Sequence, residues 1–166
     1  TRVIFLTYTE EKTEESTYEE SIAFIEKIEK QAGIDKVYSA YQKYAVASSY
    51  DQPLEVRLKW LNECDRLAKA SGKDYKWLYY YDYADVLNEQ GRPDEAIALI
   101  DLLISENKNN FNAYIQKNDI LLANGRLAEA EKFVASLNEE YGNYTETIEM
   151  KLKVNRCKGD YESAKR

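Results

Sequence analysis

The segment GRPDEA at residues 91–96 returns as GRLAEA at residues 125–130, and GDYESA follows at residues 159–164. Successive copies begin 34 residues apart, and each glycine is followed five residues later by an alanine. Copies in phase at one period indicate stacked units of similar structure, because a repeat array repeats its packing contacts at the repeat length. We therefore predict a repeat architecture for the second half of the chain.

Each unit is predicted to be a pair of helices. Residues 74–90 form the first helix, with Asp74 as its N-cap, and Gly91 ends it because glycine readily adopts the left-handed conformation. Pro93 suits the first turn of the next helix, where its missing N–H needs no partner. This second helix carries an apolar stripe at three- and four-residue spacing, made of Ala96, Leu99, Ile100, Leu103 and Ile104.

The same pattern continues on both sides of this pair. Residues 110–124 and 127–141 repeat it, and a last helix is expected to begin at Asp160, after Gly159. Upstream, helices are predicted over residues 35–49 and 53–70, the second one ending at Gly72. A capping box, Thr17-x-x-Glu20, opens an earlier helix that is expected to end at Gly33. The sequence thus predicts about eight helices and a stub in an all-α fold.

Composition excludes several classes of function. The chain has 166 residues, a formal charge of −7, no His and two Cys. The absence of His removes Ser–His and Cys–His catalysis as well as His-ligated zinc, and two Cys cannot form a four-thiolate metal site. The acidic balance argues against a nucleic-acid backbone as partner, and no apolar run approaches the length of a membrane span. We predict no enzyme activity, no catalytic residues, no metal and no cofactor.

The residues at matching repeat positions resemble those of the tetratricopeptide repeat (TPR) family. The first unit has Tyr80, Tyr83, Ala84, Leu87, Ala96 and Ile100, and the second has Tyr114, Leu121, Ala130 and Val134. The third unit has Ile148, Leu152, Gly159 and Ala164. The chain departs from the family pattern at Lys117, where a large apolar residue is usual, and at Asn118 and Leu152, where a small one is usual.

This resemblance implies a right-handed α-solenoid of antiparallel helix pairs, a TPR-like superhelix. Residues 1–15 are then an extended or flexible N-terminal segment, and residues 16–72 form degenerate or elongated hairpins, for which a bundle-like cap is the alternative. TPR-like repeats follow over residues 73–166, at about 75–108, 109–142 and an incomplete 143–166. Because no further helix covers the last apolar face, we expect the natural protein to continue beyond this sequence.

The resemblance also implies a binding groove lined by the first helix of each pair. In the family the second, fifth, ninth and twelfth positions of a repeat face this groove. These positions correspond to Leu78, Tyr81, Asp85 and Asn88; to Asn112, Ile115, Asp119 and Leu122; and to Glu146, Glu149, Lys153 and Arg156. Among the 15 tyrosines, we expect Tyr81 first to contact a partner, followed by Tyr38, Tyr41 or Tyr44.

The expected function is that of a protein–protein interaction module or scaffold that holds a peptide or helix in this groove. The partner is a protein or peptide, basic or apolar in character, since the lining mixes aromatic side chains, amides and carboxylates. The alternative is a ligand-sensing TPR region of a bacterial transcriptional regulator or sensor kinase. A third hypothesis is a homodimer formed through the uncapped end. The sequence leaves the location of the protein undecided. The cytoplasm is favoured, and an extracytoplasmic sensor region is the alternative.

Three remaining features have plain structural interpretations. Glu10, Glu11, Glu14 and Glu15 precede the first helix, whose positive end favours carboxylates. Cys64 lies in an apolar stripe and is predicted to be a buried thiol. Asn143-Tyr144-Thr145 fits a short glycosylation pattern that matters only in a secreted eukaryotic protein.

Overall fold

The computed structural model describes residues 16–142 and 144–164, with side chains described through residue 159. Over these ranges the chain is all-α, with eight helices and no strand. Their bounds are α1 Tyr18–Glu29, α2 Lys36–Ser49, α3 Leu54–Ser71, α4 Lys76–Glu89, α5 Pro93–Glu106, α6 Phe111–Ala123, α7 Leu127–Tyr141 and α8 Thr145–Ala164. No helix in these ranges is both long and apolar enough to cross a membrane. The described residues divide into two compact units, a first unit that ends at Val86 and a second unit that begins at Leu87.

In the first unit, local sequence signals define the helix ends. The Thr17 side chain accepts from the backbone N–H of Glu20, and the Glu20 carboxylate accepts from that of Thr17, which confirms the predicted capping box. Asp35 caps α2, and Gly72 ends α3 in the left-handed conformation at φ 66°. The α2 helix packs against both α1 and α3. Ala40 and Ala47 on α2 and Leu61 and Cys64 on α3 are buried.

In the second unit, the repeated glycines make the turns that the sequence predicts. Gly91 and Gly125 have φ values of 73° and 69°, and Pro93 occupies the first position of α5. The α6 helix contacts α5, α7 and α8. The core of the unit joins α6, α7 and α8 through Tyr114, Leu121, Ala130, Val134, Leu137, Met150 and Val154.

Two predicted helix boundaries are wrong. The first helix ends at Glu29 rather than continuing to Gly33. The expected break at Gly159 is also absent, because α8 continues from Thr145 to Ala164. Extending an existing helix adds a backbone hydrogen bond for each residue, whereas a new helix after a turn requires a fresh nucleus. Gly159 can stay helical at a cost of about 1 kcal/mol relative to alanine.

Candidate functional site

The predicted groove positions of the second repeat lie on one face of α6. Asn112 is exposed, whereas Ile115, Asp119 and Leu122 are half-buried. Spacings of three and four residues place these side chains along a single stripe of the helix. Ile115 and Leu122 also pack against the core of the second unit. The stripe therefore presents an amide and a carboxylate around partly covered apolar side chains.

The groove positions of the third repeat lie on α8, and one of them contacts α6 directly. Lys153 Nζ is 2.9 Å from Asp119 Oδ1 and 2.8 Å from Asp119 Oδ2, and both side chains are half-exposed. Glu149 and Arg156 are exposed on either side of Lys153, and Glu146 is half-buried. The structure thus brings the predicted stripes of α6 and α8 together through this ion pair, whose partners occupy equivalent repeat positions.

An amide pair adds a contact that the sequence prediction missed. Asn124 Nδ2 donates to Asn88 Oδ1 at 2.6 Å and to the backbone oxygen of Ile120 at 2.8 Å. Asn88 was predicted as a groove residue, but Asn124 lies beyond the end of α6 and outside the family positions. The hydrogen bond fixes the orientation of the Asn88 amide, whose oxygen accepts from Asn124.

The remaining predicted positions belong to the first unit. Leu78 and Tyr81 are half-buried and Asp85 is exposed, all on α4. Their neighbour Asp82 has a structural partner, because Tyr41 Oη donates to Asp82 Oδ2 at 2.7 Å. Burial first, and then this hydrogen bond, raise the pKa of Tyr41 above its ordinary value. Asp82 is therefore part of the packing of the first unit.

The departure from the family pattern at Lys117 has a structural explanation. Lys117 Nζ pairs with Asp101 Oδ1 at 2.6 Å and lies 4.9 Å from the centre of the Phe133 ring. The aliphatic stem can cover apolar surface while the ammonium stays at the edge of the unit. The lysine thus takes the place of a large apolar residue at this position.

The start of α8 and the residue before it present an apolar stripe, and two of its three positions are covered at the equivalent positions of α6. Tyr144, Ile148 and Leu152 are 56%, 43% and 61% exposed. One repeat earlier, Tyr114 and Asn118 are 4% and 0% exposed. Thr147, Met150 and Val154 form the buried side of α8 instead. We name the residues Tyr144, Ile148 and Leu152 the α8 stripe.

Groups suited to metal binding do not converge in the part of the chain that the structure describes. No cluster of three or more His, Cys, Asp or Glu side chains there could hold a metal ion. Cys64 is fully buried, as predicted, and burial raises the pKa of its thiol to about 12. Glu10, Glu11, Glu14 and Glu15 and the glycosylation pattern at Asn143 lie outside the described residues.

Comparison with known proteins agrees with this repeat geometry. Residues 87–146 match the family model described as tetratricopeptide repeat. No curated protein and no solved structure gives a significant match to the chain. The matched segment covers α5, α6 and α7 together with the glycine turns that recur at the repeat length. The resemblance predicted from the sequence is confirmed for residues 87–146, the segment that matches the tetratricopeptide repeat family.

Proposed function

We propose that the second unit binds a protein segment on the surface formed by the stripes of α6 and α8. Tetratricopeptide repeats generally mediate protein–protein interactions, and proteins built from them are typically non-enzymatic scaffolds. The binding surface comprises Asn112, Ile115, Asp119 and Leu122 on α6 and Glu149, Lys153 and Arg156 on α8. The Asn88 amide lies at the start of the same unit. Leu78, Tyr81 and Asp85 stay predictions for α4.

The contact between Asp119 and Lys153 is the observation that supports this surface most directly. It joins the ninth positions of two successive first helices at 2.8 Å, so one extended ligand can touch both helices. Both side chains are also half-exposed, which leaves their remaining hydrogen-bonding capacity open to a partner. A peptide held by two adjacent helices gains specificity from side-chain positions on each of them.

The charge of the surface favours an apolar segment with mixed flanking charges over a strongly basic one. The Asp119 carboxylate is balanced by Lys153, and exposed Glu149 lies on the same helix as exposed Arg156. Ile115 and Leu122 supply the apolar contact at the centre. Charged side chains at the rim then contribute more to orientation and association rate than to affinity.

Site-specific photo-crosslinking in cells that express the full-length protein tests this surface. A photoreactive phenylalanine analogue replaces Asn112 or Glu149, both of which are exposed on the proposed surface. The matched control places the same analogue at Ser136, which is exposed on α7. We expect crosslinked partner bands from the first two positions and none from Ser136. Equal crosslinking at all three positions, or crosslinking at Ser136 alone, contradicts the proposal.

The α8 stripe supports a second candidate, self-association of two copies. Exposed apolar side chains in a contiguous stripe favour a protein contact, because covering them removes apolar surface from water. Light scattering at increasing concentration tests the dimer, with Ile148→Lys and Leu152→Lys combined as the disrupting variant. Lys151→Glu, on exposed surface beside the stripe, is the matched control. A dimer that only the double variant dissociates supports this candidate, and a strict monomer at high concentration contradicts it.

The ligand-sensing alternative stays a prediction. A DNA-binding helix-turn-helix or a kinase core in the same full-length protein would favour it over a scaffold.

A further inference from the structure

The first unit contains a cleft that is unrelated to the predicted groove residues. Its volume is about 670 Å³, and it lies among α1, α2 and α3. The wall on α3 contains Trp60, and the α2 side contains Ala40 and Lys43. This volume falls within the range of small-molecule sites, which is about 300–1,000 Å³. The cleft is therefore large enough for a small organic molecule.

The charge of this cleft is opposite to that of the chain. Five cationic side chains and three carboxylates line it, although the whole sequence has a net charge of −7. The carboxylates Glu29 and Glu63 are each engaged by a cation of the cleft, Lys43 and Arg66, at 2.7 and 2.6 Å. An excess of positive charge remains, and it favours an anion in the cleft.

Lys43 is the side chain whose burial indicates a ligand. Its side chain is only 7% exposed, and lysine is rarely buried to this extent. The ammonium has three donors, and the hydrogen bond within the described residues goes to Glu29 Oε2 at 2.7 Å. A buried ion pair adds little stability over apolar side chains of similar size. The ammonium retains donors that a ligand oxygen in the cleft can use.

Trp60 gives the cleft an aromatic wall with a fixed orientation. Its indole N–H donates to Tyr18 Oη at 3.2 Å. Lys43 Nζ and Lys59 Nζ lie 5.0 and 4.6 Å from the centre of the ring. Ala40 also lines the cleft, so apolar surface and ammonium groups face the same space. This combination suits a molecule that has an apolar body and an anionic group.

We propose that this cleft binds a small organic anion, a phosphate or carboxylate attached to an apolar or aromatic body. The anionic group binds Lys43 and is flanked by the exposed ammonium groups of Lys36 and Lys59. The body packs against Trp60. This site belongs to the first unit, so its test is independent of the test of the peptide surface proposed for the second unit.

Tryptophan fluorescence of the full chain tests the proposal, with phenyl phosphate as the probe. The chain has two tryptophans, and Trp77→Phe leaves Trp60 as the single reporter. Phenyl phosphate should change the Trp60 emission in a saturable way and bind more tightly than inorganic phosphate or phenol. Added salt should weaken the binding because the attraction is electrostatic. No saturable change at millimolar phenyl phosphate, or equal affinity for inorganic phosphate, overturns the proposal.

Variants at the cleft make the test specific. Lys43→Met combined with Glu29→Gln removes the buried pair together, so that no unpaired charge stays buried, and affinity should fall about tenfold or more. Lys36→Gln and Lys59→Gln change exposed side chains and should each weaken binding without affecting folding. Lys73→Gln, an exposed lysine outside the cleft, is the matched control and should bind as the parent does. Unchanged affinity in all cleft variants overturns the proposal. A tetraglutamate peptide that competes with phenyl phosphate and binds more tightly also overturns it, because the cleft would then belong to an acidic protein partner.

Discussion

Asp35 and Tyr75 are hydrogen-bonded to each other across 40 positions of the first unit, and the same carboxylate caps α2. Tyr75 Oη donates to Asp35 Oδ2, while Asp35 Oδ1 accepts from the backbone N–H of Val37 at 2.9 Å. One side chain thus satisfies the start of a helix and the hydroxyl of a buried tyrosine. Two properties of the first unit, its stability and its response to alkaline pH, depend on this carboxylate.

Asp35→Ala should destabilise the first unit by about 2 kcal/mol. Loss of an N-cap costs about 1 kcal/mol, and loss of the acceptor for the Tyr75 hydroxyl costs about another. Urea unfolding followed by tryptophan fluorescence measures this, since Trp60 and Trp77 both lie in the first unit. Tyr75→Phe keeps the cap and should show only the second part of the loss. Equal stability of Asp35→Ala and the parent would contradict the double role of Asp35.

The Tyr75 hydrogen bond should also make stability depend on alkaline pH. The bond to Asp35, followed by burial, raises the pKa of Tyr75 from 10.0 to about 12. Because the folded pKa lies above the unfolded value, this contribution to stability is fully present below pH 10 and is lost as pH rises towards 12. The free energy of unfolding should fall less steeply over this window in Tyr75→Phe than in the parent. Parallel pH profiles for the two proteins would contradict the assignment.

The two cysteines should differ strongly in reactivity. Cys157 is exposed, whereas Cys64 is buried, donates to the Val37 backbone oxygen at 3.8 Å and has a pKa raised to about 12. Thiolates are the reactive form, so native protein treated with N-ethylmaleimide should be modified once, at Cys157, as mass spectrometry of peptides shows. Cys64 should react only when urea unfolds the first unit. Cys157→Ser should remove the fast reaction, and rapid labelling of Cys64 in native protein would contradict its burial.

Most of the helix pattern is predictable because its signals are local. Thr17, Asp35, Gly72 and Pro93 each act within a few residues of their own position, and the structure places a helix end at each of them. Gly159 is different, because a glycine ends a helix only when the chain after it gains more from a turn than from further helical hydrogen bonds. That balance depends on tertiary packing, and the motif GDYESA at residues 159–164 carries no information about packing.

The site was less predictable than the fold for the same physical reason. Family positions identified Asp119 and Lys153 as candidates, but their ion pair depends on how α6 packs beside α8. Asn124 could not be found from the repeat pattern, since it lies past the helix end and acts by orienting Asn88. The cleft around Lys43 and Trp60 joins three helices and follows no periodic pattern along the chain.

Asn118→Ala should stabilise the second unit by about 1 kcal/mol. Asn118 is fully buried at a position where the family uses a small residue, and neither its Oδ1 nor its Nδ2 has a hydrogen-bond partner within the described residues. A buried unpaired polar group costs about 1–3 kcal/mol, and alanine also favours the helix. These two gains together outweigh the cost of the small cavity that the substitution leaves. Amide hydrogen exchange in α6 and α7 measures the change. Asn124→Ala is the comparison variant: it removes the hydrogen bonds of Asn124 to Asn88 and Ile120 and should speed exchange. Slower exchange in Asn124→Ala than in Asn118→Ala would contradict this argument.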